Sequence, residues 1–219
     1  MAGRLNRYAR RLFLRNVPFA VNGVLRRRFY LRRFKMWEYA RALAYAPAAP
    51  AMRVFDFGGG ATLPLFFLAE QGCEVVSVDI NKRFADYTND VAVRRGLRLT
   101  ASSRNLCHEP PLPEWGTFDR IYSFCVIEHL PKEAQGPALR TLAGLLRPGG
   151  ILAFTFDYGA EAPSEWPIRT LEELAQLREA SGLRPMGNAA FHVADERHVI
   201  DKRHPDAPFT LGSLFLTTP

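Results

Sequence analysis

Three glycines, Gly58, Gly59 and Gly60, follow a short apolar run in "VFDFGGGATLPLFFLAEQG", and two acids flank them: Asp56 just before, and Asp79 about 20 residues on. Glycines between a strand and a helix let the backbone approach a nucleotide-like ligand closely. A phosphate-binding loop would close with Lys and Ser/Thr, which this loop lacks. A dinucleotide fingerprint starting at Gly58 would need glycine at 63, where Leu63 stands. It would also avoid a carboxylate at 56, which repels pyrophosphate. Asp56 suits a ligand with an ammonium or sulfonium group, and an acid placed like Asp79 accepts hydrogen bonds from ribose hydroxyls. The pair points to an adenosine with a cationic tail and no phosphate. Without a ligand, the glycines would make only a tight turn and Asp79 a helix cap. Further on, "VIEHL" places Glu128 and His129 just past an apolar run. His129 there could act as a base toward a hydroxyl or ammonium, with Glu128 orienting it. Alternatively, the two residues hold loop geometry or cap the next helix.

The elements that must position these groups alternate. "MRVFDF", "EVVSVDI", "LRLTAS", "FDRIYSFCVI" and "GGILAFTFDY" read as strands. Helices are expected at Thr62–Gly72, Lys82–Arg95, about Lys132 to Leu146, and in "TLEELAQLREASGL". The last has Thr170 and Glu173 at capping-box spacing. Such alternation gives a parallel sheet with helices on both faces, ligands sitting outside the carboxyl ends of its strands. "FTLGSLFLTT" has no helix just before it and is expected to pair antiparallel, at or inserted near the sheet edge. The expected class is a doubly wound, three-layer α/β/α fold. Its sheet is mostly parallel with an antiparallel strand near the C-terminus, and an N-terminal helical arm is added.

The net charge of +7 is uneven. Residues 1–37 hold eleven Arg and Lys and no acid, leaving 18 basic against 22 acidic residues elsewhere. This divides the chain into a basic helical arm or cap, residues 1–45, and a mildly acidic body, residues 46–219. The arm could meet an anionic membrane surface, a nucleic acid or an acidic substrate. Equally, it could be a helical cap with solvated arginines and packed aromatics. An Arg-rich, acid-free start also resembles a mitochondrial presequence, although Trp37 and Tyr39 suggest a retained, packed segment. No apolar run approaches the roughly 20 residues of a bilayer span. Three cysteines without CxxC spacing fit a reducing compartment, and the expected location is the cytoplasm, peripheral to a membrane if the arm binds one.

Four stretches in order resemble the class I, Rossmann-like S-adenosylmethionine-dependent methyltransferases, in particular the type 11 and type 12 groups. "VFDFGGGAT" resembles their D/E-x-G-x-G-x-G motif with Thr62 for the last glycine, and "VVSVDI" their second-strand acid. "FDRIYSFCVIEHL" resembles their fourth-strand motif, and "LLRPGGILAFTF" their turn into strand five. The resemblance spans roughly residues 54–158. It implies a seven-stranded sheet, S-adenosylmethionine as cofactor and S-adenosylhomocysteine as product. It implies a cofactor site of Asp56, Gly58, Gly59, Gly60, Asp79, Ile80, Asn105, Leu106 and Phe124. Asn105 stands where relatives carry an acid for the adenine amino group. Some O-methyltransferases bind a divalent metal through E-x-x-E-H; here Cys125 replaces the first acid, which weakens any magnesium site, and no metal is expected. No [D/N]-P-P-[Y/F] run and no Pro-Cys pair argue for adenine, glutamine or cytosine-C5 methylation. The acceptor is then an oxygen or nitrogen of a small molecule or glycan, anionic or lipid-linked if the arm serves it. Tyr158, Trp166, His192 and His198 fall in the segments that wall acceptor pockets in the family. The alternatives are an RNA methyltransferase using the basic arm, and a non-catalytic cofactor-binding partner subunit.

Overall fold

The computed structural model describes residues 1–15, 33–159, 162–186, 191–194 and 209–219. Arg26–Arg28 and His198 lie outside these. In chain order the elements are α1 (Ala2–Arg15), α2 (Arg33–Tyr45), β1 (Arg53–Phe57), α3 (Leu63–Glu70), β2 (Glu74–Asp79), α4 (Lys82–Arg95) and β3 (Leu99–Ser103). They continue with β4 (Phe118–Phe124), α5 (Lys132–Gly144), β5 (Leu146–Tyr158), α6 (Leu171–Ser181), β6 (Arg184–Pro185), β7 (His192–Val193) and β8 (Thr210–Thr217).

Local chemistry sets the bounds. Asn81 caps α4 by accepting from the Arg83 amide at 3.0 Å, and Gly96 ends it at φ 60°. Thr170 accepts from the Glu173 amide at 3.1 Å, and Glu173 reaches back to the Arg169 amide. The helix expected at Thr62–Gly72 is shorter, because Gly72 at φ 90° already belongs to the return turn. The "RPGG" turn does not precede β5 but bulges it. Phe118 pairs with Leu146 and Arg120 with Ile151, with Gly149 at φ 74° between.

The sheet order is β3-β2-β1-β4-β5-β8-β6, with β7 also on β8. β1 to β5 are parallel and β8 runs antiparallel, Ile151 facing Thr217 and Tyr158 facing Thr210. Since β5 occupies one edge of β8, the two-residue β6 and β7 share the other. Among the described residues, eight strands thus fill seven positions. The order reverses between β1 and β4, and the cleft opens there.

β1 is buried on both faces, as a central parallel strand must be, and side-chain alternation divides the core. Val54, Tyr122 and Phe215 face a layer of α1 to α4, whereas Phe55, Ile121 and Leu214 face α5 and α6. Phe55 lies 5.0 Å from Phe118 and 5.5 Å from Trp115, centroid to centroid. Each such buried ring contributes about 2–3 kcal/mol. The N-terminal helices join this core: Leu5, Tyr8, Tyr39 and Leu43 are buried in the same cluster as Val54. Arg41 stacks on Tyr45 at 4.4 Å and donates to Ser213 of β8 at 2.9 Å. Among the described residues no helix is long and apolar enough to cross a membrane.

Candidate active site

Beyond β1, Gly58 turns the chain at φ 74° and its amide donates to the Val78 carbonyl at 2.7 Å. Two acids then hold the loop. Asp56 Oδ2 accepts from the Gly59 amide at 3.1 Å and from Ser77 Oγ at 2.9 Å. Asp79 Oδ2 accepts from the Gly60 amide at 3.0 Å, and its Oδ1 from the Asn81 amide at 2.7 Å. These contacts explain the glycines more directly than ligand approach does. A Cβ at 59 would fall on the Asp56 carboxylate, and one at 60 would lie 2.6 Å from Asp79 Oδ2. At 58 it would meet Val126 at 2.6 Å. Gly59→Ala should push Asp56 aside and weaken S-adenosylhomocysteine binding by roughly tenfold, about 1.4 kcal/mol. Calorimetric titration checks this; unchanged affinity would show the loop geometry to be dispensable.

A cleft of about 210 Å³ lies at the carboxyl ends of β1 to β4. Gly58, Asp79, Ile80, Asn105, Leu106 and His129 all line it. Asp56, Gly59 and Gly60 are absent from its lining; Asp56 is buried beneath the loop and acts through the Gly59 amide. Phe124 does not line it either. Its ring packs 4.9 Å from Tyr39 and 5.8 Å from Tyr122, on the α1–α4 side of the sheet. Asn105 Oδ1 is engaged locally, accepting from the Cys107 amide at 3.0 Å. Arg104, Cys125 and Val126 line the cleft without having been singled out for it. Arg104 pairs with Glu109 at 3.0 Å. Cys125 and Val126 turn toward the cleft because Cys125, at φ 53°, breaks the strand alternation; residue type gives no sign of that.

Ile127–His129 form a single 3-10 turn after β4. His129 is solvent-exposed at the cleft, and desolvation by the surrounding atoms, followed by the Lys35 charge, lowers its pKa. Glu128 does not orient it. The Glu128 carboxyl is fully buried and turned the other way, its Oε1 accepting from the Asp157 amide at 2.9 Å. Burial, then the Asp157 charge, pushes Glu128 up to about 8. Burial also pushes Asp157 up to about 6, against the pull of Lys35. Next to them, Glu38 of α2 is fully buried. It pairs with Lys35 at 3.0 Å and accepts from Cys125 Sγ at 2.9 Å and Thr155 Oγ1 at 2.7 Å. The expected acceptor walls are dispersed: Tyr158 packs on Phe191, His192 stacks on Trp37 at 6.2 Å, and Trp166 is exposed.

The residues fit S-adenosylmethionine. Each Asp79 oxygen holds one backbone amide and keeps acceptor capacity for a ribose hydroxyl. Ile80 beside it is 75% exposed, an apolar surface for a base at the cleft mouth.

Residues 55–154 match a protein family described as a methyltransferase domain. The chain is 43% identical over 67 residues to ribosomal RNA small subunit methyltransferase B of Thermus thermophilus, 31% of this chain and 16% of that protein. It is 24% identical over 149 residues to tRNA 5-carboxymethoxyuridine methyltransferase of Escherichia coli K12, 66% of this chain. The chain spans 52% of the length of that relative. It shares its fold with geranyl diphosphate methyltransferase in complex with SAM: TM-score 0.64, 16% identity, 83% of this chain and 86% of that one. Residues 55–154 thus match a methyltransferase domain, and the chain carries the fold of S-adenosylmethionine-dependent methyltransferases.

Proposed function

We propose that this enzyme methylates an oxygen or nitrogen of a small molecule or glycan, with His129 taking the acceptor's proton. The observation that carries this reading is that His129 shares one cleft with Asp79, Ile80 and Asn105. When bound, S-adenosylmethionine supplies an electrophilic methyl group, and its transfer needs chiefly alignment and desolvation. Asp79 would hold the ribose, Ile80 and Leu106 the base, and the Gly58–Gly60 loop the cationic tail above Asp56. His129 faces the same space from the β4 side, where an acceptor hydroxyl or ammonium would lose its proton. Glu128, turned to Asp157, takes no part in that step.

His129→Ala is expected to lower kcat about a hundredfold with S-adenosylhomocysteine affinity unchanged. Full turnover by the variant would remove the histidine from the reaction. An anionic or lipid-linked acceptor, met at the cytoplasmic membrane surface, is the form of this reading that gives the basic arm a role.

A second reading draws on the two curated relatives, which by name methylate tRNA and ribosomal RNA. On it, the Arg-rich arm would hold RNA phosphates, and binding would weaken steeply with salt. Glutamines at Arg26–Arg28 test it without cutting into the packed α2. A flatter salt dependence with loss of RNA methylation would favour RNA; unchanged RNA binding would leave the small-molecule reading.

A further inference from the structure

Behind the cleft wall, on the inner side of Cys125, lie buried groups that the methyl-transfer reading leaves unused. One ligand atom each from Cys125, Glu128 and Asp157 come within 4.8 Å of one another. Cys125 Sγ stands 3.8 Å from Asp157 Oδ1. The Glu128 side chain is fully buried, and its Oε2 has no hydrogen-bond partner among the described residues. An ionised carboxylate left so would cost several kcal/mol. Lys35 pairs with Glu38 at 3.0 Å and also acts on Cys125 and Asp157, so one lysine serves a neighbourhood of three buried carboxyl groups, Glu38, Glu128 and Asp157.

A cation would meet both needs, and the donor set says which. Zinc bonds to sulfur at about 2.3 Å and to oxygen at about 2.0–2.2 Å in a tetrahedron, placing S and O roughly 3.5 Å apart. The 3.8 Å separation here is close to that. Magnesium and calcium take oxygen ligands and have no use for the thiol, whereas zinc and cobalt accept it. The cysteine that argues against a magnesium site in the sequence therefore argues for a softer ion in the structure. Cys125 also lines the cleft, which gives the ion a way in.

We infer that Cys125, Glu128 and Asp157 form a site for one thiophilic divalent cation of the zinc class. Glu38, hydrogen-bonded to Cys125 Sγ, links this site to α2. On binding, the Cys125 thiol and the Glu128 carboxyl each give a proton to solvent as the sulfur–metal and oxygen–metal bonds form, and Asp157 binds as the carboxylate.

The 219-residue chain, stripped with a chelator, is titrated with cobalt(II) alone. The expected result is one equivalent bound, with a thiolate-to-cobalt charge-transfer absorption that zinc displaces. Cys125→Ser should abolish the absorption. Glu128→Gln and Asp157→Asn, each confirmed folded by circular dichroism, should weaken cobalt binding roughly tenfold or more. No such absorption in the wild type overturns the site. So does an absorption that survives Cys125→Ser, which would place the thiolate at Cys73 or Cys107. Equal binding by both carboxylate variants overturns it as well. None of these readouts depends on methyl transfer.

Discussion

Replacing Asp79 with alanine should cost the enzyme its cofactor: S-adenosylhomocysteine affinity falls about a thousandfold, roughly 4 kcal/mol. The magnitude follows from two hydrogen bonds to a carboxylate, each worth about 1.5–3 kcal/mol. Asp79 has a second role that adds to the loss. It holds the Gly60 and Asn81 amides, so its removal also loosens the glycine loop and the start of α4. Asp79→Asn retains the shape and one acceptor oxygen and should fall between. Titration calorimetry on the two folded variants decides the matter. An alanine variant that binds like the wild type would mean that the ligand does not place its ribose here.

The second large effect concerns the N-terminal helices. Tyr39→Ala should destabilise the whole fold by about 3–4 kcal/mol, the cost of emptying a large buried ring site. For a chain of this size that lowers the melting temperature by roughly 10 °C. Tyr39 is 5% exposed and meets Phe124 edge-on at 4.9 Å. Leu43 and Met36 on the same helix share its cluster with Val54 and Phe215. Thermal unfolding followed by circular dichroism should show one transition, shifted down. A variant melting like the wild type would mean that α2 is attached to the domain without supporting it. Residue 45 would then be a boundary in packing as well as in charge.

Much of this arrangement can be read from residue types at fixed spacing. The bounds of α4 follow from Asn81 and Gly96, and those of α6 from Thr170 and Gly182. The pairing of Asp56 with the glycines and Asp79 follows from β1 and β2 ending side by side. The reason for the glycines does not, because it depends on where two carboxylates turn once buried. Phe124 illustrates a signal present but not used. It stands two residues from Tyr122, so strand alternation puts both rings on one face, away from the cleft. Glu38 carries no such signal. An acid among arginines and aromatics reads as a solvated residue, and only the fold shows its partner 87 positions away at Cys125. Buried polar contacts between distant segments are set by topology, and local pattern does not encode them.

The placement of β4 directly beside β1 has a kinetic consequence. The Val54–Arg120 pairing closes a loop that contains all of β2 and β3, so loop-closure entropy leads us to expect it to form late, after the local helices. The cleft has no second wall until it is made. A ligand that needs both walls can recognise only a chain that has already passed its folding barrier. S-adenosylhomocysteine should therefore leave the refolding rate untouched and express its stabilisation as slower unfolding.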